Sequence, residues 1–160
     1  MNNKLLYLVQ HGEAYSKEEN PDRPLTEKGK EIIRKIGNFL NNNRVVIDAF
    51  WHSPKTRAKE TAHILREELQ LNSSPITEYK ELEPEENPSK TLKEIKKSGY
   101  NAIMIVGHLP HLSKLSGLLL CNDKDADIIN FEKGCVVCIE WNEETGGILK
   151  WMIIPSLLNS

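Results

Sequence analysis

Three short polar segments, each directly after an apolar run, carry the residue types that do chemistry. They are Gln10-His11-Gly12-Glu13, Ser53-Pro54-Lys55-Thr56-Arg57-Ala58 and Gly107-His108-Leu109-Pro110. Two imidazoles and a guanidinium gathered in one place make a pocket for a dianion such as a phosphoryl group, with arginine offering a planar fork of donors. Histidine can also act there as a nucleophile, provided its other ring nitrogen is held by an acceptor that fixes the tautomer. Gly12, beside His11, lets a bulky group or another stretch of backbone come close. One histidine after a strand says little by itself. The segments matter if they converge, and that depends on the elements that carry them.

The spacing predicts a buried strand over Lys4 to Gln10, followed by a long polar loop from His11 to Pro24 of the kind in which function concentrates. Thr26 is placed to cap a helix over Glu27 to Asn41, whose Ile32, Ile33, Ile36 and Leu40 recur at helical spacing. A short strand over Ile47 to Trp51 precedes a helix with Pro54 in its first turn, running to about Leu69. Pro75 to Tyr79 reads as a further short strand, Glu81 to Pro88 as loop, and Ser89 to Lys97 as a helix. Ala102 to Val106 is a fully apolar strand, and Pro110 opens a helix to about Leu120. Strands over Gly134 to Trp141 and Ile148 to Ile154 flank the hairpin signal Asn142 to Gly147. Alternating strands and helices predict one α/β domain over residues 1–160, its sheet largely parallel and closed by an antiparallel pair. In such sheets the carboxyl ends of the strands share one edge, so the three polar segments are expected to meet there.

Composition narrows the functions. The chain has 160 residues, 39% hydrophobic and 28% charged, enough for one adequate core. With 21 Lys and Arg against 23 Asp and Glu, the net charge of -2 offers no general attraction to nucleic acid or to an anionic membrane. Any affinity for phosphate must be local. The apolar runs fall short of a membrane span and the N-terminus lacks a signal-like pattern, which predicts a cytoplasmic protein. Cys135 and Cys138 form a C-x-x-C inside a predicted strand. Residues three apart in a strand point to opposite faces, so the two read as buried thiols and not as a redox pair or half of a zinc site.

These residues resemble the motifs of the histidine phosphatase superfamily, the phosphoglycerate mutase-like proteins, and most of all those of its short bacterial phosphohistidine phosphatases. Gln10-His11-Gly12-Glu13 stands at the family's Arg-His-Gly-Glu, and Arg23-Pro24-Leu25-Thr26-Glu27-Lys28-Gly29 matches Arg-Pro-Leu-Thr-x-x-Gly. Ser53 to Thr61 matches Ser-Pro-x-x-Arg-Ala-x-x-Thr, and Gly107-His108 is the family's second Gly-His. Four motifs in order cover nearly the whole chain. The resemblance implies a three-layer α/β/α sandwich and a phosphatase that works through a phosphohistidine intermediate. It makes His11 the nucleophile, Arg57 a phosphate clamp and His108 a donor to the phosphoryl oxygens, and needs no metal or cofactor. It also implies a proton donor after the third strand, for which Glu81 is the candidate ahead of Glu83 and Glu13. Because only about forty residues separate Thr61 from Ala102, too few for the long insertions that roof the site in mutase-like and sugar-phosphate relatives, the resemblance implies an open cleft. That suits a phosphohistidine displayed on a protein partner before a small phosphomonoester. Two other readings are a phosphoprotein-binding module with negligible turnover and a metal site built from His11, His108 and His111.

One position departs from the pattern. Gln10 replaces the family's arginine, keeping hydrogen-bond donors but losing the charge and the bidentate fork. A charge-assisted hydrogen bond contributes roughly 1.5 to 3 kcal/mol, about ten- to a hundredfold in rate, so reduced activity is expected. Lys55, Lys59 or Arg23 could supply the missing charge.

Overall fold

The computed structural model describes residues 2–158. Its first strand, β1 (Lys4–Gln10), is an unbroken apolar run because it lies in the middle of the sheet with both faces covered. Helix α1 (Glu27–Asn42) follows, with the Thr26 hydroxyl accepting from the Gly29 N–H as the cap. The alternation continues through β2 (Ala49–His52), α2 (Thr56–Glu68), β3 (Ile76–Glu78), α3 (Pro88–Lys97), β4 (Ala102–Gly107) and α4 (His111–Cys121). A hairpin of β5 (Val136–Asn142) and β6 (Gly146–Ile153) ends it. Two short 3₁₀ turns, Lys80–Leu82 and Pro155–Leu157, were not legible in the spacing.

The six strands form one sheet in the order β3-β2-β4-β1-β5-β6. β1, β2, β3 and β4 run parallel, and β5 is antiparallel to both its neighbours. Ile33, Ile36 and Leu40 of α1 and Ala58, Ala62 and Leu65 of α2 pack on one face, against Val9, Phe50 and Met104. Ile95 of α3 and Leu112, Leu115 and Leu119 of α4 cover the other, against Leu6, Leu8 and Ile105. This is the expected α/β/α sandwich with a mostly parallel sheet. Cys135 and Cys138 fall in opposite cores as free thiols, as the strand period requires. No helix among the described residues is long and apolar enough to cross a membrane.

Several boundaries differ: β5 begins at Val136, not Gly134, so that Cys135 precedes it, and β6 begins at Gly146, not Ile148. The second strand begins at Ala49, not Ile47, and Pro54 is not in the first turn of α2, which starts at Thr56 with Lys55 as its N-cap residue. The reason is that Ser53 still extends the strand hydrogen bonding, its N–H donating to the Val106 carbonyl at 3.2 Å. The chain cannot turn into a helix until past Pro54.

Candidate active site

The central strands β2, β4 and β1 are parallel neighbours, so their carboxyl ends bring Ser53, His108 and His11 to one edge of the sheet. Strand pairing extends into the site, since the His11 N–H donates to the Gly107 carbonyl at 3.1 Å. The His11 and His108 rings are 5.0 Å apart between centroids. Arg57, in the first turn of α2, reaches the same point, with its Nε 3.4 Å from His11 Nε2. The expected convergence of the three segments is therefore observed.

His11 is 7% exposed, and its Nδ1 lies 2.7 Å from the Gly12 carbonyl. That carbonyl only accepts, so Nδ1 carries the proton and Nε2 presents a lone pair toward Arg57. Burial is the main reason its pKa falls to about 4, with the charges of Arg57, Lys133 and Arg23 adding to the fall and the Gly12 bond opposing it. At neutral pH the ring is uncharged.

His108 is held differently. Its Nε2 is 2.6 Å from the Ser53 hydroxyl, which also accepts from the Lys55 N–H at 3.3 Å. Among the described residues Nε2 is the one acceptor the Ser53 hydroxyl reaches, so the Ser53 proton points at Nε2 and leaves the ring's own proton on Nδ1. Nδ1 is buried and has no partner. Burial, then His11 and Arg57, lower the His108 pKa to about 3. The result is a neutral ring beside His11 with an unused N–H.

The remaining motif residues hold this geometry. Thr61 Oγ1 accepts from the Gly12 N–H at 3.1 Å and donates to the Arg57 carbonyl at 2.7 Å, fastening α2 to the loop that carries His11. The Glu60 carboxylate accepts from the Leu25 N–H at 2.7 Å, fixing the segment before α1. Glu13 accepts from the Thr26 hydroxyl at 2.6 Å and is thereby engaged at the cap of α1, away from proton transfer. A Cβ on Gly29 would collide with the Glu13 carbonyl, which is why the motif ends in glycine.

Above Arg57 opens a cleft of about 480 Å³, lined among others by Lys17, Asp22, Arg23, Lys55 and Pro84. Gln10, next to His11 in the chain, is buried, 8% exposed, with its Oε1 unpartnered. Glu81 is not brought to this cleft. It lines a small recess with Trp51, Tyr79, Leu82 and Thr91, because Leu82, in the same 3₁₀ turn, is drawn into the core under α3 and α4. Glu83 lies on the cleft side, 3.9 Å from Lys55 Nζ. Sequence reasoning missed the part played by the loop before β5, whose Gly134 N–H donates to the Gln10 carbonyl at 2.9 Å. It carries no motif.

His111 takes no part in the cleft, since Thr91 Oγ1 at 3.0 Å and the Glu86 carbonyl at 2.9 Å occupy both its ring nitrogens. Among the described residues no group of three or more His, Cys, Asp or Glu side chains is arranged to hold a metal. His52 is a buried residue bonded to the Ser53 carbonyl at 2.8 Å, and His63 is exposed on α2.

The model of the histidine phosphatase superfamily (branch 1) matches residues 6–98, more than half of the chain. The phosphohistidine phosphatase SixA of Escherichia coli (strain K12) is 25% identical over 158 residues, which cover 94% of this chain and 93% of that protein. A solved structure of the protein histidine phosphatase SixA complexed with tungstate superposes with a TM-score of 0.83, at 24% identity, covering 97% of this chain and 99% of that one. An α-ribazole phosphatase from Shigella flexneri gives 0.78 at 17% identity, covering 95% of this chain and 97% of that one. At these identities the two structural likenesses concern the fold.

Proposed function

Because the chain belongs to the histidine phosphatase superfamily, we propose that it is a phosphatase that forms a phosphohistidine on His11 and acts on phosphohistidine borne by a protein partner. The observation that carries this reading is the His11 ring, held neutral with Nδ1 on the Gly12 carbonyl and Nε2 turned to the Arg57 guanidinium. A neutral nucleophile whose lone pair meets only a long bond from a cation, which a phosphoryl group can take over, is what attack on phosphorus needs.

In the first step the His11 Nε2–P bond forms as the bond from phosphorus to the leaving group breaks. Positive charge grows on the imidazole and strengthens the Nδ1–H bond to Gly12. Arg57 and the unused Nδ1–H of His108 take up charge on the equatorial oxygens. In the second step water attacks phosphorus, phosphate leaves and the neutral ring returns. A phosphoimidazole protonated on its other ring nitrogen releases neutral imidazole without further acid, whereas an alkoxide needs a proton, and Glu83 replaces Glu81 as the candidate donor because of its place beside Lys55.

The protein substrate is supported by the open cleft and by the likeness to SixA over nearly the whole chain. A cytoplasmic location fits such a partner. The test is to incubate the protein with a phosphohistidine-bearing domain, quench in alkali and map the acid-labile phosphate. The expected label is on His11, absent in His11→Ala. Rapid hydrolysis of small phosphomonoesters with no action on phosphohistidine protein would assign the other substrate class. Tight binding with no phosphate release above that of His11→Ala would make this a phosphoprotein-binding module.

A further inference from the structure

The loss of the motif arginine at position 10 leaves a deficit of charge in the pocket, and the structure offers several cations that could meet it. Lys59 is exposed on α2, and the ring it influences is His63. Lys55 stands opposite Glu83 at 3.9 Å, which offsets part of its charge. Lys133 is exposed and, although its charge also acts on His11, it lines a recess with Lys28 and Pro155 and is not among the residues lining the cleft. Arg23 differs from all three.

Arg23 is half-buried, lines the same cleft as Arg57 and, among the described residues, neither arginine is in an ion pair. Its backbone sits at φ 49°, the left-handed region that a residue with a Cβ enters at a cost. The surrounding loop holds it there. Its N–H donates to the Asn20 carbonyl at 2.9 Å, the Tyr15 N–H donates to the Pro24 carbonyl at 2.9 Å, and Ala14 bridges Leu25. The side chain is anchored too, with Nε donating to the Tyr15 carbonyl at 2.9 Å. That bond uses one guanidinium N–H and leaves the two terminal nitrogens free to meet a ligand. After burial, the Arg23 charge depresses the pKa of Arg57, and it adds to the effect of Arg57 and Lys133 on His11. Two guanidinium groups held near each other without a counter-ion repel, and a bound anion relieves that repulsion.

We propose that Arg23, reaching in from the loop before α1, binds the phosphoryl group in place of the arginine that is absent at position 10. This rests on the cleft being the phosphoryl site, but not on turnover. Arg23 and Arg57 then form a two-arginine clamp in the one cleft, while Gln10 fills the vacated place as a neutral residue whose Oε1 finds no partner.

The test uses the full chain and inorganic phosphate, with affinity read by calorimetry alongside kcat/KM on phosphoramidate. Arg23→Asn is the primary variant, because asparagine tolerates the left-handed backbone. It is expected to weaken phosphate binding and kcat/KM tenfold or more. Arg23→Lys is expected to fall in between, and serves as the reading if the asparagine variant does not fold. Adding Gln10→Arg to Arg23→Asn is expected to restore at least a fivefold part of the loss, and the gain from Gln10→Arg is expected to be smaller in the wild-type background. Lys59→Gln should stay within twofold of wild type. The proposal is overturned if wild type does not bind phosphate, if a folded Arg23 variant stays within twofold of it, or if Gln10→Arg gives equal gains in both backgrounds. If phosphate binds in an Arg23-dependent manner while no substrate is turned over, the phosphatase reading fails and this one stands.

Discussion

The Ser53 hydroxyl lies 2.6 Å from Nε2 of His108, accepts from the Lys55 N–H and, among the described residues, reaches no other acceptor for its own proton. A residue that touches no substrate thus decides which nitrogen of a neighbouring ring carries hydrogen. Ser53→Ala removes the donor to Nε2, frees the proton to move there and turns Nδ1 from donor to acceptor, where it repels a phosphoryl oxygen. The expected result is a fall in kcat of about tenfold, from a hydrogen bond of roughly 1 to 1.5 kcal/mol. Nitrogen-15 spectra should show His108 as the Nδ1–H tautomer in wild type and a shifted or mixed tautomer in the variant. Ser53→Thr should keep the wild-type signature. An Nε2–H tautomer in wild type would reverse the assignment.

Stability should fall in mild acid because both site histidines are buried neutral. For His11 the folded pKa is about 4 and for His108 about 3, both below the ordinary value near 6.5. Between these values the unfolded chain binds protons that the folded one refuses, so their contribution is complete above about pH 6.5 and is lost as pH falls toward 4. The slope reaches at most about 1.4 kcal/mol per pH unit for each proton. Urea unfolding from pH 7 to 4.5 should show this loss, and it should be smaller in His108→Gln. An equal slope in the two proteins would locate the acid sensitivity elsewhere.

Thr61 is the joint between α2 and the loop of His11, through its bonds to the Gly12 N–H and the Arg57 carbonyl. Thr61→Val keeps the volume and leaves a buried N–H without a partner, which costs about 1 to 3 kcal/mol. Unfolding by denaturant should register that loss, and activity should drop with it because Arg57 and His11 are positioned by the same hydroxyl. A variant as stable as wild type would show that water replaces the bond.

How far the sequence carried can be judged from particular residues. β1 was legible to its ends because a central strand buried on both faces leaves a continuous apolar run, and α1 because Thr26 and the isoleucine stripe fix its start and its inner side. The meeting of His11, Arg57 and His108 followed from the rule that parallel strands share a carboxyl edge. What escaped depends on turns that carry no period. Pro54 misplaced the start of α2 because Ser53 still belongs to the sheet. The loop at Gly134 lies beside Gln10 through strand order, which no local pattern records.

The same limit decided between two glutamates. Glu81 and Glu83 flank Leu82, and a spacing of two says nothing about which of them faces the cleft until the 3₁₀ turn is known. Leu82 is fully buried, Glu81 lines the recess by Trp51 and Tyr79, and Glu83 stands 3.9 Å from Lys55 at the cleft. A proton donor matters in proportion to the basicity of the leaving group, since an alkoxide cannot leave unprotonated and a nitrophenolate can. Glu83→Gln is therefore expected to lower kcat on an alkyl phosphate by about a hundredfold, the lower end of general acid catalysis. On nitrophenyl phosphate it should stay within threefold. Glu81→Gln should leave both within twofold. Loss of alkyl phosphatase activity in Glu81→Gln alone would return the role to Glu81 and require the turn at Lys80–Leu82 to rearrange on binding. Equal losses on both substrates in Glu83→Gln would mean that Glu83 acts through Lys55 in binding and transfers no proton.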